Sequence, residues 1–198
     1  MWAGVDLAAS PKRPSGVAVG EMWSTVQVHT CYTDEEIIAS LVQACMVWID
    51  APLTEGKGPF RDCDRLLMQR GITLLPLSWP AMRQLYARAL RLQAQLPHMP
   101  FRETFPWAFY RALSQGHVSG PTGRRAINKK DTSPLAEWAK GLGFKGEPRS
   151  VHEWDALTCW AMGTLAPEEL LVLEGTEGGL WVPRAVFPPL SPSGGGYI

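Results

Sequence analysis

The sequence predicts an α/β protein built on a mixed sheet, with antiparallel strands first, parallel strands after them and helices on the faces. Three observations predict it. Trp2 to Val5 and Gly16 to Val19 are short apolar runs joined by a Pro/Lys/Ser/Gly turn, the pattern of two antiparallel strands. Met46 to Leu53, MVWIDAPL, is short and apolar, as a strand buried on both faces should be. Between them lies an amphipathic helix pattern, so the connection reads as a right-handed crossover into a parallel strand.

Taken in order, the first run ends in a lone acid, Asp6, near the start of its connection. A carboxylate beside an apolar strand costs several kcal/mol unless a cation or hydrogen-bond donors compensate it; otherwise Asp6 is a surface residue that ends the strand. Glu21 to Thr30 is expected as a third strand. Thr33 opens a helix, TDEEIIASLVQACM, with Glu36 three residues on and an inner stripe of Ile37, Leu41 and Val42. The buried strand that follows carries its own acid, Asp50, at its carboxyl end. Ligands of such sheets gather at the carboxyl ends of the strands, so Asp6 and Asp50 are expected side by side.

Thr54 to Phe60 is a Gly/Pro loop. Arg61 to Arg70 is a helix closed by Gly71, with Arg61, Asp62, Asp64 and Arg65 in its first turns, close to the Asp50 loop. Ala81 to Leu96 is a long helix with Met82, Leu85, Ala89 and Leu92 inward. Its arginines, Arg83, Arg88 and Arg91, read as a solvated face or as a phosphate-binding one. Pro100 to Pro106 is a short strand with a third acid, Glu103, ahead of a helix from Trp107 to Ser114. Residues 116–130 hold the one dense basic cluster, Arg124, Arg125, Lys129 and Lys130, in a loop that either contacts phosphate or is simply solvated.

Thr132 to Gly141 is a helix with Pro134 in its first turn. Val151 to Ala166 is apolar almost all round, with His152, Glu153 and Asp155 confined to its entry. His152 and Asp155 are three apart and share a face, which suggests a site, although Asp is also favoured there by the helix dipole. Leu170 to Leu173 and Gly179 to Val182 form a hairpin. Residues 1–187 are read as one domain and 188–198, rich in Pro, Ser and Gly, as a flexible tail.

Composition narrows the function classes. In 198 residues the basic and acidic side chains balance at 19 each, so a nucleic-acid site needs a local basic patch. Four cysteines show no CxxC pair or zinc spacing and are expected to be reduced thiols. No apolar segment spans a bilayer and no signal layout opens the chain, so the expectation is cytoplasmic, with no membrane partner. Nine tryptophans are expected mainly in the core. There is no P-loop, dinucleotide glycine fingerprint or Ser elbow.

The segments GVDLAASPKRPSGVAV, IDAPL, RDCDRLLMQRGI, ETFP and HEWDAL, in that order, resemble the domain of unknown function 429 group, whose members are described as predicted nucleases of RNase H-like fold. The resemblance covers roughly Ala3 to Ala166. It implies that residues 1–187 are an RNase H-like domain. The wider superfamily includes the RuvC-type Holliday-junction resolvases. It places one acid on the first strand, one at the end of the strand after the first helix, and one or two at the start of the last core helix. Asp6, Asp50 and Asp155 match those positions, with Asp50 standing where several relatives carry the longer Glu. His152 lies where a His or Asp often accompanies the last carboxylate, and Glu103 would be a further acid nearby.

The resemblance thus implies a metal-dependent nuclease, a hydrolase of phosphodiester bonds in DNA or RNA. Clustered carboxylates repel and need a divalent cation or raised pKa values to coexist, and hard oxygen ligands suit Mg²⁺ or Mn²⁺. Two such ions would be bridged by Asp6 and completed by Asp50 and Asp155. Glu103 or His152 would orient water or protonate the leaving oxygen. Lys12 and Arg13 on the first turn, with Arg124, Arg125, Lys129 and Lys130, would contact the phosphate backbone. Related resolvases are dimers, which makes a homodimer an option. Two alternatives stand beside this: a non-catalytic binding or scaffold protein with a vestigial acidic cluster, and, less favoured because it needs a second such domain, an ATPase-like nucleotide binder.

Overall fold

The computed structural model describes residues 1–114 and 133–186. The basic cluster Arg124, Arg125, Lys129 and Lys130, the Thr132 cap and the tail 188–198 lie outside the described residues. The chain forms β1 (Trp2–Asp6), β2 (Ser15–Gly20), β3 (Gln27–Cys31), α1 (Asp34–Leu41), β4 (Val47–Asp50), α2 (Asp62–Gln69), α3 (Pro80–Gln95), β5 (Phe101–Glu103), α4 (Pro106–Ser114), α5 (Ser133–Gly141), α6 (Val151–Met162), β6 (Leu170–Gly175) and β7 (Gly178–Pro183). The α/β class and the mixed sheet are as expected. Five strands run in the order β3-β2-β1-β4-β5, antiparallel across β3, β2 and β1 and parallel across β1, β4 and β5. β6 and β7 form the expected hairpin as a separate sheet.

Side chains alternate across the sheet with a period of two, and each face has its own core. Ala3, Val5, Val17, Val47 and Ile49 pack with Ile37 and Leu41 of α1 and Ala89 and Leu92 of α3. Ala18 and Trp48 point the other way, into a cluster formed by α4, α5 and the almost wholly buried α6. That second core takes up many of the tryptophans. Trp23 stands edge-on to Trp138 and Trp160, and Trp2 stacks on Trp160 while donating its indole N–H to the Trp160 carbonyl.

The contact between α6 and the sheet is made possible by two glycines. A Cβ on Gly4 would collide with the backbone of Trp160 and Ala156, and one on Gly16 with the backbone of His152. The helix therefore lies directly on β1 and β2, closer than any side chain would permit.

Three expectations are corrected. β3 begins only at Gln27, because Thr25 and Val26 donate back to the Met22 carbonyl in a turn that sends Trp23 into the core. α1 ends at Leu41, and Val42 is 67% exposed; it lies about 100° round the helix from Leu41 and so leaves the inner stripe. Arg88 is on neither a solvated nor a phosphate-binding face. It is fully buried, ion-paired to Asp34 at 2.6 Å, and donates to the carbonyls of Ala8 and Tyr32.

Candidate functional site

Asp6 and Asp50 are partners in the parallel β1–β4 register, each the last residue of its strand. Both share the parity of Gly4 and Trp48, so both side chains leave the sheet on the α6 face. The α6 helix is aimed at them. Ser150 caps it by accepting from the Glu153 amide, and Glu153 accepts a 2.7 Å bond from the Thr30 hydroxyl of β3, which ties the first turn to the sheet. Gly16 is the register partner of Asp6, and its missing side chain leaves room for the His152 backbone. The imidazole then reaches Asp6, with Nδ1 2.6 Å from Oδ2. One turn of helix further in, Asp155 accepts a 2.8 Å hydrogen bond from the Tyr110 hydroxyl of α4.

Asp50 is the acid shared between two clefts, one with Asp6 and one with Asp155. The thiol of Cys159, buried on α6 one turn beyond Asp155, is pushed well up from its ordinary value by burial and then by the charges of Asp50, Asp6 and Asp155. The Tyr110 hydroxyl is likewise pushed up, by burial first and by Asp155 second, so it stays a proton donor to that carboxylate. Asp50 and Asp155 line one end of a cleft of about 290 Å³ floored by Phe105 and Tyr110. Asp6 and Asp50 also line a neighbouring cleft of about 380 Å³ together with Glu103, Arg61 and Asp64, so Glu103 lies near the acid pair as expected, and the cleft reaches Leu77 and Met82.

Glu103 belongs to a different arrangement. It pairs in register with Ile49, one position before Asp50, and so projects from the opposite face of the sheet. There its carboxylate accepts from both terminal nitrogens of Arg61 and, at 2.8 Å, from the Leu53 amide. Arg61 also binds Asp64 through Nε and a terminal nitrogen, and the Thr54 hydroxyl through the other. All five guanidinium N–H groups thus have acceptors inside the protein. Burial pushes the Glu103 carboxyl up despite the pull of Arg61, while the two carboxylates together keep Arg61 charged. The group clamps the loop that leaves Asp50.

Arg88 does the same for Asp6. It donates to the Ala8 carbonyl while Ser15 Oγ accepts from the Ala8 amide, and so fixes the chain just beyond β1. Lys12 and Arg13 sit exposed on that turn. Sequence reasoning placed Arg61 and Asp64 near the Asp50 loop, but missed Tyr110 and the anchoring role of Arg88. The signal for Arg88 was its place beside Leu85, Ala89 and Leu92 in an i, i+3, i+4, i+7 stripe.

Among the described residues no three His, Cys, Asp or Glu side chains are gathered into a ready-made metal group. Asp6 is engaged with His152 and Asp155 with Tyr110. In kind, the donors fit a hard divalent cation: carboxylate oxygens from β1, β4 and α6, with Asp50 lining one cleft with Asp6 and another with Asp155. Among the described residues no helix is long and apolar enough to cross a membrane. No protein-family model and no curated protein matches this chain.

Proposed function

We propose that this protein is a metal-dependent nuclease of RNase H-like fold, hydrolysing phosphodiester bonds in nucleic acid at the Asp6–Asp50–Asp155 cleft. The observation that carries this reading is the register of β1 and β4. It sets two carboxylates side by side at the carboxyl edge of the sheet, and Asp155 of the buried helix α6 shares a cleft with one of them, Asp50. An acid on the first strand, one ending the strand after the first helix and one at the start of the last core helix is the placement that the resemblance implies.

Asp6, Asp50 and Asp155 would hold Mg²⁺ or Mn²⁺, and the bound ion supplies a Lewis acid for the phosphate and a more acidic water. The chain's own residues do the rest. Asp6 holds Nδ1 of His152 at 2.6 Å, which orients the ring, and the imidazole would exchange a proton with the water or the leaving oxygen. Tyr110 fixes the rotamer of Asp155, as outer hydrogen bonds fix ligating carboxylates elsewhere. Lys12 and Arg13 meet the backbone phosphates. Glu103 acts at one remove, by holding Arg61 and the Leu53 amide. The test is cleavage of end-labelled DNA and RNA by wild type and Asp6→Asn in Mg²⁺, Mn²⁺ and EDTA. Cleavage that needs the cation and is lost in Asp6→Asn is expected; cleavage unaffected by both overturns the proposal.

A second reading, a non-catalytic binding protein with a vestigial cluster, is favoured by the engagement of Asp6 with His152 and of Asp155 with Tyr110. It predicts nucleic-acid binding with no cleavage under any cation.

A further inference from the structure

Beyond the acid cleft lies a second cavity. It is about 490 Å³ and lies between the loop Thr54 to Pro59 and the first turns of α3. The two cavities share Leu77 and Met82 in their walls and so lie side by side. The Leu77 amide donates to the Pro59 carbonyl at 2.8 Å, which fastens one wall of the cavity to the other. Lys57 comes from the loop and Arg83 from α3, and both are exposed cations. Tyr86, one turn along α3 from Met82, presents a half-buried ring, and Glu55 is the one acid among the described lining residues.

We propose that this cavity seats the nucleic-acid strand next to the scissile phosphate, with Lys57 and Arg83 on backbone phosphates and Tyr86 against a base. The proposal rests on the nuclease reading and names its substrate track. The physical need is clear. A carboxylate-lined cleft repels a polyanion, so a strand must be drawn in by cations flanking the acids. Lys12 and Arg13 follow β1, while Lys57 and Arg83 line the cavity that shares Leu77 and Met82 with the cleft of Asp6 and Asp50. An aromatic face beside a basic groove is the combination by which single strands are held without sequence readout. A cavity of this size is in the range that takes one small ligand or nucleotide unit.

Gly58 offers a way to close the cavity. Gly58 lines the cavity, a Cβ added there meets nothing within 4 Å, and its φ is not among the positive ones, so a large side chain can be introduced at this position without backbone strain.

The experiment uses the full chain carrying Asp6→Asn, to prevent cleavage. Binding of labelled 20-nucleotide single-stranded DNA and RNA is followed by fluorescence anisotropy in Mg²⁺, from 50 to 200 mM KCl. Adding Lys57→Gln and Arg83→Gln should lower the slope of log affinity against log salt by about 1.4, at about 0.7 per phosphate contact. Gly58→Trp and Tyr86→Ala should each weaken binding about tenfold, through lost access and lost stacking respectively. A change with DNA alone or RNA alone identifies which strand the cavity takes. Affinities and salt slope equal to those of the Asp6→Asn parent overturn the proposal, and leave the nuclease reading standing if wild type still cleaves. No strand binding by the parent and no cleavage by wild type overturn both.

Discussion

Glu103 and Asp50 end neighbouring parallel strands, one position apart in register, and that single step puts them on opposite faces of the sheet. On one face Glu103 and Asp64 close around Arg61, with every guanidinium N–H directed to an acceptor inside the protein. On the other, Asp50 stands beside Asp6 in register and lines a cleft with Asp155 of α6. A carboxylate at the same sheet edge is a fastening in one case and a candidate ligand in the other. What separates them is the partner supplied from outside the sheet: a buried arginine on α2's side, a histidine and a tyrosine on α6's. The lesson is that acids near a site must be sorted by their counter-charge before they are given roles.

The sharpest way to break this comparison is to remove the arginine. Arg61→Ala leaves two buried carboxylates without their cation and should cost about 3–5 kcal/mol in urea unfolding. Asp6→Asn, on the other face, should leave unfolding nearly unchanged while cleavage disappears. Equal stability losses from the two variants would erase the distinction.

A smaller effect is expected at Tyr110. Tyr110→Phe removes the hydroxyl that holds Asp155, and should weaken Mn²⁺ binding by about 10–100-fold, read from titrations of melting temperature. A loss of stability with unchanged cation affinity would mark Tyr110 as packing only.

The smallest effect lies away from both groups. The amides of Tyr32 and Thr33 hold the Glu36 carboxyl below its ordinary value, as the reciprocal half of the α1 cap. A lowered acid stabilises the fold above the usual carboxylate range and loses that contribution as pH falls through its own value. Glu36→Gln should therefore lower stability slightly at neutral pH, with the difference from wild type closing as pH falls below roughly 4, so that the acid limb is flatter. An unchanged acid limb would show that the cap contributes nothing there.

Most of the sheet was legible in the sequence because apolar runs bounded by turn residues carry strand and face together. The place of each acid at the end of its apolar run was enough to put Asp6 and Asp50 on one edge. What the sequence did not carry was register between strands distant in the chain. Nothing in PFRETFP says whether Glu103 is level with Ile49 or with Asp50, and that step decides its face. The roles of Gly4 and Gly16 were equally silent, since a glycine in a strand declares its purpose only when the helix lying on it is known. Arg88 was misjudged because charge outweighed position; its spacing marked it as inward, and its acceptors, the Ala8 and Tyr32 carbonyls, are tens of residues away in sequence.

The central claim is that Asp6, Asp50 and Asp155 together form a divalent-cation site. It is tested most directly by the melting temperature in EDTA, Mg²⁺ and Mn²⁺, for wild type and Asp6→Asn. A ligand present at 100 times its Kd adds about 2.7 kcal/mol to the folded state. A rise in wild type with millimolar Mn²⁺ that is absent in Asp6→Asn is the predicted result. An equal rise in both, or none in either, would contradict it.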